Sequence, residues 1–212
     1  MITRGLPRDV SLSTDMSSAF DAAVDRARAA RRSYIRTDDL LIALLSVTPA
    51  ADGVSLLTKE FGITSDQVST VVDELKERTL TSSVPDPDAM ALLVEKLTGE
   101  VRQMPADAEV MLESDATWTL MKARDISRDV RYGRDHAARG YDAAESGKAL
   151  PVEVGTDHFL RALTELSYHY EYENQRGLGS AVLAGFVDAP TFAHRLYVEM
   201  TRDYKAQPPG LE

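Results

Sequence analysis

The feature that most constrains this chain is a short motif that occurs twice. Residues 37–44 read TDDLLIAL and residues 156–163 read TDHFLRAL, each preceded by an apolar residue, Ile35 in one case and Val154 in the other. A Leu-rich stripe cannot bury itself, and a duplicated unit gains stability by packing one copy against the next. Each copy has a helical pattern upstream and an apolar segment closed by glycine downstream, at Gly62 and Gly185, and the second carries extra residues between its first two helices. The chain is therefore expected to consist of two copies of one helical unit.

Apolar periodicity gives helix almost everywhere. Phe20, Ala23, Val24, Ala27 and Ala30 share one face of a first helix, with Asp21, Asp25, Arg28 and Arg32 on the others. Thr37 is expected to cap a second helix, with Asp38 and Asp39 where the helix dipole favours negative charge and Leu40, Leu41, Leu44 and Leu45 as its core stripe. A shorter apolar helix runs through Val54 and Leu57 to a stop at Gly62, and Thr64 with Gln67 forms a capping box ahead of Val68, Val71, Val72 and Leu75. After the Ser/Thr/Pro-rich stretch TLTSSVPDP, Pro87 opens an extra helix ending near Met104. Ser114 and Asp115 signal another helix with Leu120, Ala123, Ile126 and Val130 on its face, and Asp188 with Pro190 leads into a last one bearing Phe192, Leu196 and Met200.

Composition removes several function classes. Among 212 residues there are 24 Lys+Arg against 34 Asp+Glu, a net charge of −10, and no cysteine. Without cysteine there is no disulfide scaffold, thiolate zinc site, iron–sulfur cluster or cysteine nucleophile. The acidic balance disfavours a nucleic-acid partner, since the phosphate backbone calls for a dense Lys/Arg surface. The cluster of Arg26, Arg28, Arg31 and Arg32 reads as a solvated helix face. His136, His158, His169 and His194 lack metal-ligand spacing, and Ser180 in Gly-Leu-Gly-Ser lacks the nucleophile-elbow pattern. No apolar run has the length of a signal peptide or a membrane span, so the expected location is the cytoplasm, with no membrane partner. A phosphate loop is missing as well, because the nearest approach, GYDAAESGK at residues 140–148, has the wrong spacing and is followed by Ala149.

The pairing of Tyr34-Ile35-Arg36-Thr37-Asp38-Asp39-Leu40-Leu41 with Val154-Gly155-Thr156-Asp157-His158-Phe159-Leu160, each copy lying between an upstream helix and a Gly-terminated one, resembles the Clp N-terminal (Clp repeat) domain family found at the front of the unfoldases ClpA and ClpC. The resemblance implies an all-α fold of two pseudo-symmetric four-helix repeats with an extra linker helix. Repeat 1 would span 14–78, the linker 79–113 and repeat 2 114–202, with insertions near 131–149 and 168–177, an N-terminal extension 1–13 and a tail 203–212. It also implies a non-catalytic, cofactor-free binding module whose partners are a Clp unfoldase, its substrates or adaptors, phosphoarginine-marked proteins, or cyclic peptide antibiotics directed at ClpC. Such a module would act as a decoy or regulator. An adaptor docking through its insertions is the second reading, and a small-molecule enzyme the third.

Where the family's signature usually reads Thr-Glu-His, this chain has Thr-Asp-Asp and Thr-Asp-His, so each carboxylate is one methylene shorter. The candidate ligand residues implied by the resemblance are Thr37, Asp38, Thr156 and Asp157, the two acids being the positions that would receive a guanidinium. The same acids read equally as first-turn helix residues stabilised by the dipole. Tyr168, Tyr170 and Tyr172 form an aromatic run suited either to a contact surface or to a helix end packed on the core.

Overall fold

The computed structural model describes residue 6 and residues 10–48, 51–79, 109–132, 152–168 and 177–206. These residues form β1 (Val10–Leu12), α1 (Thr14–Ala29), β2 (Tyr34–Ile35), α2 (Thr37–Val47), α3 (Asp52–Glu60), α4 (Ser65–Thr79), β3 (Met111–Leu112), α5 (Ser114–Tyr132), β4 (Val152–Val154), α6 (Thr156–Tyr168), α7 (Leu178–Phe186) and α8 (Ala189–Ala206). The protein is mostly helical, and the order β-α-β-α-α-α is run through twice. The helix expected over residues 87–104 and most of the insertion over 131–149 lie outside the described residues, although α5 extends to Tyr132.

The short strands were not expected from the periodicity. Each is two or three residues long and pairs in parallel with a strand from the other half of the chain, β1 with β4 and β2 with β3. The pairing explains the apolar residue ahead of each motif, because Ile35 and Val154 sit in these strands and are fully buried. It also brings residues 10–12, read from sequence as part of an extension, into the packed body through the register Val10 to Val152.

Helix ends follow local chemistry. Ser13 Oγ accepts from Met16 N at 3.2 Å at the start of α1. Thr64 and Gln67 form the expected reciprocal box, with Thr64 N donating to Gln67 Oε1 at 2.9 Å and Gln67 N to Thr64 Oγ1 at 3.3 Å. Gly62 takes φ +66° after α3, which lets Ile63 N return to the Leu57 carbonyl at 3.2 Å. Asp188 Oδ2 accepts from Thr191 N to open α8.

Helix α2 lies at the centre, with every residue from Thr37 to Leu45 buried. It packs on α1, α4 and α7, while α6, its counterpart in the second half, packs on α5, α8 and α7. A helix apolar all round has to be a core helix, and each buried leucine of α2 contributes roughly 1.5–3 kcal/mol of transfer free energy.

Candidate ligand-binding junctions

The Thr-acid pairs stand where the first turn of each central helix meets the other half of the molecule. At the first junction the cap differs from the sequence expectation. Arg36, not Thr37, is the N-cap residue of α2, and its N–H donates to Asp39 Oδ2 at 3.0 Å. Thr37 instead caps a different helix. Its Oγ1 accepts from Gly179 N, in the first turn of α7, at 3.0 Å and donates to Asp115 Oδ2 at 3.2 Å. Gly177, the N-cap residue of α7, has no side chain to do this. A Cβ on Gly177 would collide with Asp115 Oδ2 and Thr37 Oγ1, and one on Gly179 would lie 2.6 Å from the Thr37 carbonyl oxygen. The Gly-x-Gly spacing ahead of an apolar helix was the sequence signal for this close approach, and residues 177–180 were read only as a failed nucleophile elbow.

Asp38 is fully buried at this junction, with Arg36 Nε 3.3 Å from its Oδ1 and 3.7 Å from Glu113 Oε2. Asp39 takes a bidentate pair from Arg32, at 2.7 and 2.6 Å, and both side chains are buried. Arg32 therefore does not belong to a solvated basic face. Burial would lower its pKa, but the hydrogen bonds and charge of Asp39, with the charge of Asp38, together outweigh it and hold the guanidinium more basic than usual. Asp115, behind Thr37, has its pKa raised by burial despite the bond it accepts from Ala116 N at 2.7 Å. Its contact with Thr37 gives it a different role from the N-cap function expected of the Ser114-Asp115 pair, since α5 already begins at Ser114.

The second junction uses the acid where the first uses the hydroxyl. Asp157 Oδ1 accepts from Gly53 N, in the first turn of α3, at 2.7 Å, and Thr156 Oγ1 lies 3.3 Å from the same oxygen. A Cβ on Gly53 would stand 2.5 Å from that oxygen. Asp157 keeps partial solvent exposure, in contrast to Asp38. Its pKa is raised, first by burial and then by Asp52 and Glu199. Those two acids also line a cleft of about 300 Å³ between α3 and α8, together with Lys59, Glu60 and Arg202. The C-terminal end of α3 is tied to α8 by an ion pair between Glu60 and Arg195 and by the edge-to-face rings of Phe61 and Phe192, 5.6 Å apart. His158 repeats the role of Asp39, its Nδ1 accepting from Gly155 N at 3.0 Å, and burial followed by the charge of Arg161 lowers its pKa to about 4.

The structure thus places Thr37 and Asp38 together at one junction and Thr156 and Asp157 at the other. Tyr168 ends α6 with its side chain outside the described residues, as are Tyr170 and Tyr172. Among the described residues no group of His, Asp or Glu side chains could hold a metal ion, and no single helix is long and apolar enough to cross a membrane. No protein-family model matches the chain, and no curated protein does either.

Proposed function

We propose that the chain is a non-catalytic, peptide-binding module of the Clp-repeat kind, formed by two pseudo-symmetric four-helix units, which takes ligands of the Clp proteolysis system as a decoy or regulator of the unfoldase. The observation that carries this reading is the placement of the two Thr-acid pairs. Each opens a central helix and supplies an oxygen to a first-turn glycine N–H in the other half, Thr37 to Gly179 and Asp157 to Gly53. Duplication of the motif and duplication of its structural setting coincide.

Of the two acids, Asp157 is the receiving group. It reaches solvent and has Asp52 and Glu199 beside it, the latter paired with Arg202 at 2.8 Å, so a cation there meets the carboxylates of Asp157 and Asp52 first. Its two bonds among the described residues both fall on Oδ1, so Oδ2 is the oxygen proposed to accept from a guanidinium. A ligand would bind without displacing the α3 cap.

Titration calorimetry with phosphoarginine, and separately with a ClpC-directed cyclic peptide, tests the proposal. Saturable binding of phosphoarginine is expected, weakened by Asp157→Ala roughly 10- to 100-fold, the value of one charge-assisted hydrogen bond. Absence of heat with both ligands would overturn it.

A further inference from the structure

The two junctions differ at one position in a way that the motif alone does not reveal. The residue before the Thr-acid pair is Arg36 in the first copy and Gly155 in the second. Arg36 Nε stands 3.3 Å from Asp38 Oδ1 and 3.7 Å from Glu113 Oε2, with its side chain 11% exposed. Asp115, across the junction, interacts electrostatically with both Arg36 and Asp38. A guanidinium is therefore already seated among three carboxylates drawn from α2, α5 and the turn between β3 and α5. Asp157 has no counterpart of Arg36, because the residue at that place, Gly155, has no side chain.

We infer that Arg36 is a built-in occupant of a guanidinium site at Asp38, so that this site is closed to outside ligands and the protein takes one cationic ligand, at Asp157, rather than two. The inference rests on the proposed function for the identity of the outside ligand but not for the existence of the site. Burial supports the assignment. Asp38 is sealed from solvent, and a buried acidic side chain calls for a polar or cationic partner against it. Arginine suits that task, since its guanidinium is weakly hydrated, always charged and planar.

Removal and replacement of the guanidinium test this. Arg36→Gly installs the residue found at the same place in the second copy, and glycine is accepted at a helix N-cap at little cost. Ethylguanidinium is the probe, with thermal unfolding as the readout. The variant is expected to be less stable than the parent and to show a rise in Tm that grows with the logarithm of probe concentration, reaching roughly 4 °C when the probe exceeds its Kd about tenfold. The parent should show only the smaller response of its Asp157 site, and adding Asp38→Asn to the variant should bring the response back to that of the parent. If Arg36→Gly fails to fold, ethylguanidinium is expected to restore folding, and Arg36→Ala, which also empties the site, provides a second background for the same titration. A response of the variants no larger than that of the parent overturns the inference. Calorimetry with phosphoarginine separates the two ideas. One site in the parent and two in Arg36→Gly agrees with both. A probe response without any phosphoarginine binding removes the proposed ligand and leaves the occupied site standing, whereas two sites in the parent removes the inference and leaves the ligand.

Discussion

Asp157 carries its charge where burial, Asp52 and Glu199 all disfavour it, so its raised pKa means that the folded protein holds this proton to higher pH than the unfolded chain does. Stability from this group therefore falls as pH rises through the region above the ordinary carboxylate value, and at neutral pH the ionised form is a cost. Asp157→Asn keeps an acceptor for Gly53 N without the charge. It should be at least as stable as the parent at pH 7, with the gain shrinking as pH drops below the carboxylate range, as urea titrations at several pH values would show. Asp157→Ala removes the acceptor and should lose about 1–2 kcal/mol. His158 has the opposite sign. Its pKa falls to about 4 in the folded state, so the unfolded chain takes up a proton near pH 6.5 while the folded protein stays neutral. Stability present above pH 6.5 is then lost as pH falls towards 4, by on the order of 3 kcal/mol at 1.36 kcal/mol per pH unit. His158→Gln keeps a capping-box acceptor that does not titrate, and the same urea titrations should show this part of the acid slope gone.

The elements meet through glycines, and the two junctions differ in what a methyl group would strike. On Gly179 a Cβ would lie 2.6 Å from a backbone oxygen of Thr37, which cannot move without shifting α2. On Gly53 the obstacle is the side-chain oxygen of Asp157, which can rotate away. Gly179→Ala should therefore cost more than about 3 kcal/mol, and Gly53→Ala nearer to 1–2 kcal/mol, the value of the lost cap. Chemical denaturation of the two variants side by side checks the order. The same contrast explains what was legible in the sequence. The central helices could be read because Leu40, Leu41, Leu44 and Leu45 announce a buried stripe, and the ends of α3 and α4 because Gly62, Thr64 and Gln67 act on their nearest neighbours. Thr37 was misread as a local cap because a threonine hydroxyl serves a distant amide as well as a near one, and only the fold brings Gly179 within 3.0 Å. The Arg32–Asp39 pair was hidden for a related reason, since an arginine on an exposed-looking face reaches a buried partner only when the chain turns between α1 and α2. Strands of two or three residues leave no period to detect.

At the scale of the whole molecule, neither half closes on itself. Both strand pairs cross between the halves, as do the caps at Gly179 and Gly53, and α2 packs against α7 as well as against its own neighbours. One continuous apolar cluster runs from Met16 in α1 to Met200 in α8. If each half were separately stable, the core would divide at the junctions, and the glycines there would have no close approach to permit. Unfolding should accordingly be one cooperative step. The chain has a single tryptophan, Trp118, in α5 of the second half, and helical circular dichroism reports on both halves together. The two signals should trace the same urea transition. A perturbation in the first half supplies the stricter check, because Gly53→Ala lies far from Trp118 in sequence and should move the fluorescence midpoint as far as the dichroism midpoint. A Trp118 transition left in place by Gly53→Ala while the dichroism curve shifts or splits would show instead that the halves unfold independently, and that the crossed strands and caps do not couple them.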